Sequence, residues 1–261
     1  MTGLSGLSAS WRPSPNFGPR AQGGSIDLII LHYTDMPTAE AAIDWLCNPS
    51  AAVSSHYVVA EDGTITQLVS ENDRAWHAGV SIWNGDSDIN SRSIGIEIAN
   101  AGHDHGYPDF PPSQIAAVIR LCRDIALRHP VRPHGVLAHS DVAPARKRDP
   151  GEKFPWAVLA AAGIGHYVAP EPISGDHRLK AGDSGVGVGA LQALLALYGY
   201  GIAITGEFDV ATEQVVMAFQ RHFRPERVDG IADASTIATL HRLARRLAPA
   251  GTPTRAVPLF R

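Results

Sequence analysis

The sequence predicts an α/β fold, a β-sheet flanked by helices, followed by a small C-terminal three-helix domain. Short, almost wholly apolar runs at 26–31 and 94–98 have the length and composition of strands buried on both faces. Stretches with apolar residues at helical spacing separate these runs, so strands alternate with helices. Beyond the Pro/Gly-rich stretch VAPEPISGDHRLKAGDSG, three further helical patterns follow.

Residues 1–25 are rich in Ser, Pro and Gly and are expected to form an irregular N-terminal arm. The 26–31 strand follows, then a helix over 38–47 and strands near 56–60 and 64–68 that meet at an Asp62-Gly63 turn. The 94–98 strand carries one charge, Glu97. PPSQIAAVIRLCRDIALRHP is the clearest helix, with Ser113 expected as its cap and Pro130 beyond its end. Ile115, Val118, Ile119, Cys122, Ile125 and Ala126 form its single apolar stripe. A strand over 135–138 then delivers His139. One domain is expected over 26–168, a linker over 169–180, a helical domain over 181–248 and a tail over 249–261.

In the helical domain, Leu191, Leu194, Leu195 and Tyr198 share one face. Val215, Val216 and Phe219 share a second, and Ile237, Leu240 and Leu247 a third. Asp209 and Asp233 are expected N-caps. Gly185, Gly187 and Gly189 follow no buried strand, so they read as turn or helix-entry glycines rather than a nucleotide loop.

The chain has 22 basic and 26 acidic residues, a net charge of −4, with no basic half that would mark a nucleic-acid binder. Two cysteines in 261 residues cannot form a disulfide framework, and Cys122 on the helix stripe reads as a buried free thiol. MTGLSGLSASWRPSPNFGPR lacks a basic segment followed by the 7–15 apolar residues of an export signal. No run approaches the roughly 20 apolar residues of a membrane span. The expected compartment is therefore the cytoplasm, or the periplasm or outer membrane if a signal precedes this sequence.

Chemistry concentrates in AHSDVAPARKRDPGEKFPW, where a histidine leaves a strand and an aspartate follows ten positions later. DLIILHYTD is a second strand ending in histidine. Two strand-end imidazoles and one carboxylate make the three-ligand set of a catalytic zinc site, with the fourth position left to water. His32, His139 and Asp149 are that candidate set. Taken singly, each also fits an ordinary structural role, and neither HExxH nor CxxC is present. Glu97 is costly to bury between isoleucines unless paired or functional, the alternative being an edge strand with one wet face. Lys147, within ARKRDPG, would by default be solvated, as would His103 and His105 in GHDHGYPDF.

IILHYT, SSHYVV, RAWHAG, SIGIEIAN and AHSDVAPARKRDPG occur in the order seen in the zinc-dependent N-acetylmuramoyl-L-alanine amidases of the amidase-2, peptidoglycan-recognition-protein-like superfamily. The chain resembles their AmiD-type members, including a C-terminal peptidoglycan-binding-like domain, over about residues 25–165 and 175–246. The resemblance implies a central mixed sheet and hydrolysis of the amide between the lactyl group of N-acetylmuramic acid and L-alanine. The substrate would be peptidoglycan or 1,6-anhydro-muropeptides, in cell-wall turnover and recycling. It implies a Zn2+ cofactor on His32, His139 and Asp149, Glu97 as general base and Lys147 as oxyanion partner. His56, Trp76 and His77 become candidate substrate contacts, the alternatives being structural hydrogen bonding for the two histidines and a core indole for Trp76, with Arg146 and Arg148 solvated or facing substrate. Two rival readings are a recognition protein that binds muropeptides without cutting them and a wall-anchoring scaffold led by the helical domain. Silent members of the superfamily typically lose a ligand, and this chain keeps all three.

Overall fold

The computed structural model describes residues 8–21, 24–173 and 178–247, so the expected 249–261 tail lies outside the described residues. The first half runs β1 (Ser10–Trp11), β2 (Phe17–Pro19), β3 (Leu28–Tyr33), α1 (Ala39–Leu46), β4 (Tyr57–Val59), β5 (Ile65–Gln67), β6 (Asp73–Ala75), α2 (Ile89–Arg92) and β7 (Ser93–Ile98). The second runs α3 (Pro112–Arg128), β8 (Val136–Ala138), α4 (His139–Val142), α5 (Trp156–Ala161), β9 (Arg178–Leu179), α6 (Val186–Tyr198), α7 (Val210–Phe223), β10 (Ala232–Asp233) and α8 (Ala234–Leu247).

Six strands form a mixed sheet in the order β1-β5-β4-β7-β3-β8. β3 pairs in parallel with β7 and β8, and β7 in parallel with β4, while β4 and β5 form an antiparallel hairpin. Gly63 turns that hairpin at φ +89°, a conformation that favours glycine. Alternation along β3 divides its side chains between two cores. Ile29, Leu31 and Tyr33 pack with Ile115, Val118, Leu121, Cys122 and Ile125 of α3. Leu28 and Ile30 face the other way. Thr38 caps α1, its side chain accepting the Ala41 N–H at 3.1 Å. Ser113 does not cap α3; its hydroxyl donates to the Glu61 carbonyl at 2.8 Å, and Pro111 precedes the first turn.

The described part of the arm, residues 8–21, lies along the catalytic domain and carries two short strands where an irregular course is expected. β1 adds in parallel to β5, and β2 pairs antiparallel with β6. Both partners present unpaired backbone edges that the arm satisfies, information that Ser/Pro/Gly composition does not carry. Arg20 inserts behind them and donates to the carbonyls of Glu71, Asn90, Ser91 and Ser93 at 2.9–3.1 Å.

The helical region is the expected set of three helices, α6, α7 and α8. Asp209 caps α7 by accepting the Thr212 N–H at 2.8 Å, and Asp233 accepts the Thr236 N–H at 2.8 Å in the first turn of α8. Its core, however, does not close on itself. Val188, Leu191, Leu195, Tyr198, Tyr200, Phe219 and Phe223 share one cluster with Leu28, Ile30, Trp83, Leu137 and Val142. α3 thus covers one face of the sheet, while on the other the C-terminal helices cover the β3–β8 side and Ile43 and Leu46 of α1 cover Val58 on β4. At the seam, the buried Asp141 carboxylate accepts from the Tyr200 hydroxyl and bonds His222 Nδ1, both at 2.7 Å.

Candidate metal centre and active-site cleft

Three parallel neighbours deliver the site at their C-terminal ends, where open sheets of this type bind ligands. His32 is the fifth residue of β3 and stands in register with Glu97 on β7. Ala138 on β8 pairs with Leu31, so the chain leaves the sheet and His139 opens α4 beside His32. Asp149 returns on the following loop, held by a 3.0 Å bond from the Ser140 N–H to its carbonyl. Gly151, at φ +86°, lies where a Cβ would strike the Tyr107 hydroxyl, which itself donates to the Pro150 carbonyl at 2.8 Å.

His32 Nδ1, His139 Nδ1 and Asp149 Oδ2 converge, with separations of 2.9 Å between the imidazoles and 3.2 and 2.9 Å to the carboxylate. Donor edges of about 3.3 Å are what a tetrahedral zinc with bonds near 2.0–2.1 Å requires. His139 Nε2 lies 3.1 Å from the Ala78 carbonyl, which only accepts, so the ring proton sits there and Nδ1 keeps its lone pair. Burial, then the neighbouring His139, pushes His32 down to about 4, so it is a neutral imidazole at ordinary pH. Burial alone would raise the Asp149 carboxyl, but His139 and His32 outweigh it and hold the group well below the usual range. Lone pairs and negative charge directed at one point fit a divalent cation.

A cleft of about 380 Å³ opens over these groups, lined also by Tyr33, Trp76, His77, Glu97, Arg146, Lys147 and Arg148. Glu97 Oε2 is shut off from solvent and has no hydrogen-bond partner among the described residues. Burial and the nearby Asp149 raise its carboxyl well above the ordinary value. Arg146 donates to the carbonyls of Ala78 and Val80, and Arg148 pairs with Asp104. Lys147 has no ion pair among the described residues.

The structure brings His32, His139, Asp149, Glu97, Lys147, Trp76 and His77 to one cleft, but not His56. That ring is wholly buried: Nδ1 accepts the Gly95 N–H at 3.0 Å and Nε2 lies 2.9 Å from Arg20. Burial, then Arg20, pushes it down to about 3, a neutral structural histidine with no face left for substrate. His77 borders the cleft, yet both its nitrogens are occupied, by His32 Nε2 and Ser93 Oγ at 3.1 Å each. His103 is not solvated either; it bonds the Tyr33 hydroxyl at 2.9 Å and Glu152 at 3.1 Å and stacks on Tyr107. Sequence reasoning passed over Ser93 and Gly95, although Ser-x-Gly-x-Glu alternates with Ile-x-Ile-x-Ile in SIGIEI and so marks a small, polar face opposite the apolar one.

A model of the N-acetylmuramoyl-L-alanine amidase family matches residues 22–152. N-acetylmuramoyl-L-alanine amidase AmiD of Escherichia coli strain K12 is 37% identical over 238 residues, 85% of this chain and 83% of that protein. The chain belongs to the N-acetylmuramoyl-L-alanine amidase family. A peptidoglycan binding domain model matches residues 184–240 of the amidase. The solved complex of E. coli AmiD with anhydro-N-acetylmuramic acid-L-Ala-D-γ-Glu-L-Lys superposes with a TM-score of 0.73 at 36% identity, covering 87% of this chain and 92% of that one. AMPDH3 of Pseudomonas aeruginosa, bound to anhydromuramic pentapeptide, gives 0.71 at 32% identity over 94% and 100%. E. coli 1,6-anhydro-N-acetylmuramyl-L-alanine amidase AmpD, 35% identical, corresponds to only 56% of this chain but 86% of its own. Among the described residues, no helix is long and apolar enough to cross a membrane.

Proposed function

We propose that this amidase cleaves the bond between the lactyl group of N-acetylmuramic acid and the L-alanine of the stem peptide, with zinc held by His32 Nδ1, His139 Nδ1 and Asp149 Oδ2. The observation that carries the reading is the convergence of those three acceptors beside the unpartnered Glu97 oxygen. Zinc bound by these residues would supply Lewis acidity to the amide carbonyl and lower the pKa of water. Glu97 accepts the proton of the attacking water and returns it to the alanine nitrogen as the C–N bond breaks. Lys147 offers its ammonium to the oxyanion of the tetrahedral intermediate. The products are a lactyl carboxylate and a free L-alanine amine. Trp76, half-buried on the cleft wall, supplies an apolar platform for sugar or peptide.

The substrates proposed are soluble 1,6-anhydro-muropeptides, supported by the ligands bound to the AmiD and AMPDH3 relatives. The proposed compartment is the cytoplasm, which the two unpaired thiols, Cys47 and Cys122, support. One experiment covers substrate and place. Fractions of cells expressing the chain are incubated with anhydro-muropeptide or purified sacculi, with and without chelator, and analysed by mass spectrometry. Chelator-sensitive release of stem peptide from anhydro-muropeptide by the cytoplasmic fraction is expected. Activity confined to sacculi, or to the envelope fraction, would contradict the proposal.

A further inference from the structure

The donor set leaves one question open. Either ring nitrogen of a histidine can bind a metal, and nothing within His32 selects Nδ1. The selection is made one layer behind the site. The Ser93 hydroxyl is 2.7 Å from the Ile89 carbonyl, an obligate acceptor, so its hydrogen is committed there. Ser93 Oγ is then an acceptor for His77, whose Nε2 lies 3.1 Å away and must carry the proton. That leaves His77 Nδ1 as a lone pair facing His32 Nε2 at 3.1 Å, so His32 donates from Nε2 and its Nδ1 is bare. The order Ile89, Ser93, His77, His32 therefore fixes three proton positions from one backbone carbonyl.

The same short segment serves the other imidazole. The Ala78 carbonyl orients His139 through Nε2. Asn90 Oδ1 accepts both the His77 and Ala78 N–H groups, at 3.1 and 2.8 Å, clamping the segment in place. The His77 ring lies flat against Gly95, where a Cβ would come within 2.5 Å of its Cγ; only glycine there leaves room for the ring.

We infer that His77 is a positioning residue for the metal centre: it holds His32 in the tautomer and orientation that present Nδ1. The inference rests on the metal-ligand reading of His32. Outer-layer partners of this kind typically set about 10–100-fold in metal affinity. The test is zinc affinity, by competition with a chromophoric chelator, for wild type, His77→Ala, His77→Asn and Ser93→Ala. Thermal unfolding is monitored alongside, and the imidazole nitrogens of the metal-free proteins are observed by 15N NMR. His77→Ala is expected to weaken zinc binding about 10–100-fold. His77→Asn, whose Oδ1 reproduces the acceptor at the Nδ1 position, should recover most of that loss. Ser93→Ala should give mixed His77 and His32 tautomers in the metal-free spectrum, a signature that a packing role would not move, and it serves where His77→Ala does not fold. Wild-type zinc affinity in His77→Ala, or an unchanged His32 tautomer in Ser93→Ala, overturns this inference alone. A wild-type protein that takes up no zinc overturns the metal reading, and this inference with it.

Discussion

Glu97→Gln is expected to lower turnover about 10²–10⁴-fold, the usual worth of a positioned general base, while the variant keeps its zinc. The substitution removes an ionisable group that the fold holds at a cost. Glu97 Oε2 is enclosed without a partner, and burial keeps the carboxyl well above its ordinary value, so the ionised form is disfavoured in the empty cleft. A neutral amide of the same shape avoids that penalty. With zinc stripped from both proteins, Glu97→Gln should therefore unfold at the same temperature as wild type or higher, the pattern of a residue retained for chemistry at the expense of stability. Zinc content and kcat of the loaded proteins, and Tm of the metal-free ones, test all three statements. Wild-type kcat in the variant would remove Glu97 from the proton path, and loss of zinc would show that it supports the metal instead.

The second large effect concerns the C-terminal helices. A chain ending at residue 173 is expected to be aggregation-prone or to lose roughly 10–20 °C in Tm, since 1 kcal/mol shifts a protein of this size by about 2–4 °C. Leu28, Leu137 and Trp83 share their core with the C-terminal helices, and full burial of such side chains is worth about 1.5–3 kcal/mol each. Trp83 meets Tyr198 and Tyr200 edge-on, at centroid distances of 6.3 and 5.1 Å, and Trp156 stacks on His222 at 3.6 Å. The match to the E. coli AmpD relative takes in 56% of this chain and 86% of that protein. In this chain Leu28, Ile30 and Leu137 make the β3–β8 side of the second sheet face apolar, and the helices are its cover. Differential scanning calorimetry of the two lengths decides the matter: a shortened chain as stable and monodisperse as the full one would show that the helices are an attachment.

Much of this was legible from local pattern. The strands of 26–31 and 94–98, the 112–128 helix and the strand-end histidines are encoded in runs a few residues long, and the ordered blocks tied them to one family. Docking of the helical region was less legible, because periodicity reports which face of a helix is apolar and not what it covers. LIIL at 28–31 did carry a hint. A strand apolar on both faces needs two covers, and α3 is only one. His56 was misplaced for a related reason. Its block matches, but whether a ring at the mouth of β4 points into the cleft or beneath β7 depends on Arg20 and Gly95, which are distant in sequence. The roles of Ser93, His77 and Asn90 lie in which hydrogen goes where, and only assembled geometry shows that.

The central claim, that His32, His139 and Asp149 hold a catalytic zinc, is tested most directly by elemental analysis. Wild type and His139→Ala are stripped with chelator, equilibrated with zinc and freed of unbound metal. Wild type should carry about one zinc per chain and regain its amidase activity, as a three-ligand site with an open position requires. His139→Ala should carry little zinc and no activity. Full zinc occupancy in His139→Ala, or full activity of wild type after its zinc has been removed, would contradict the account.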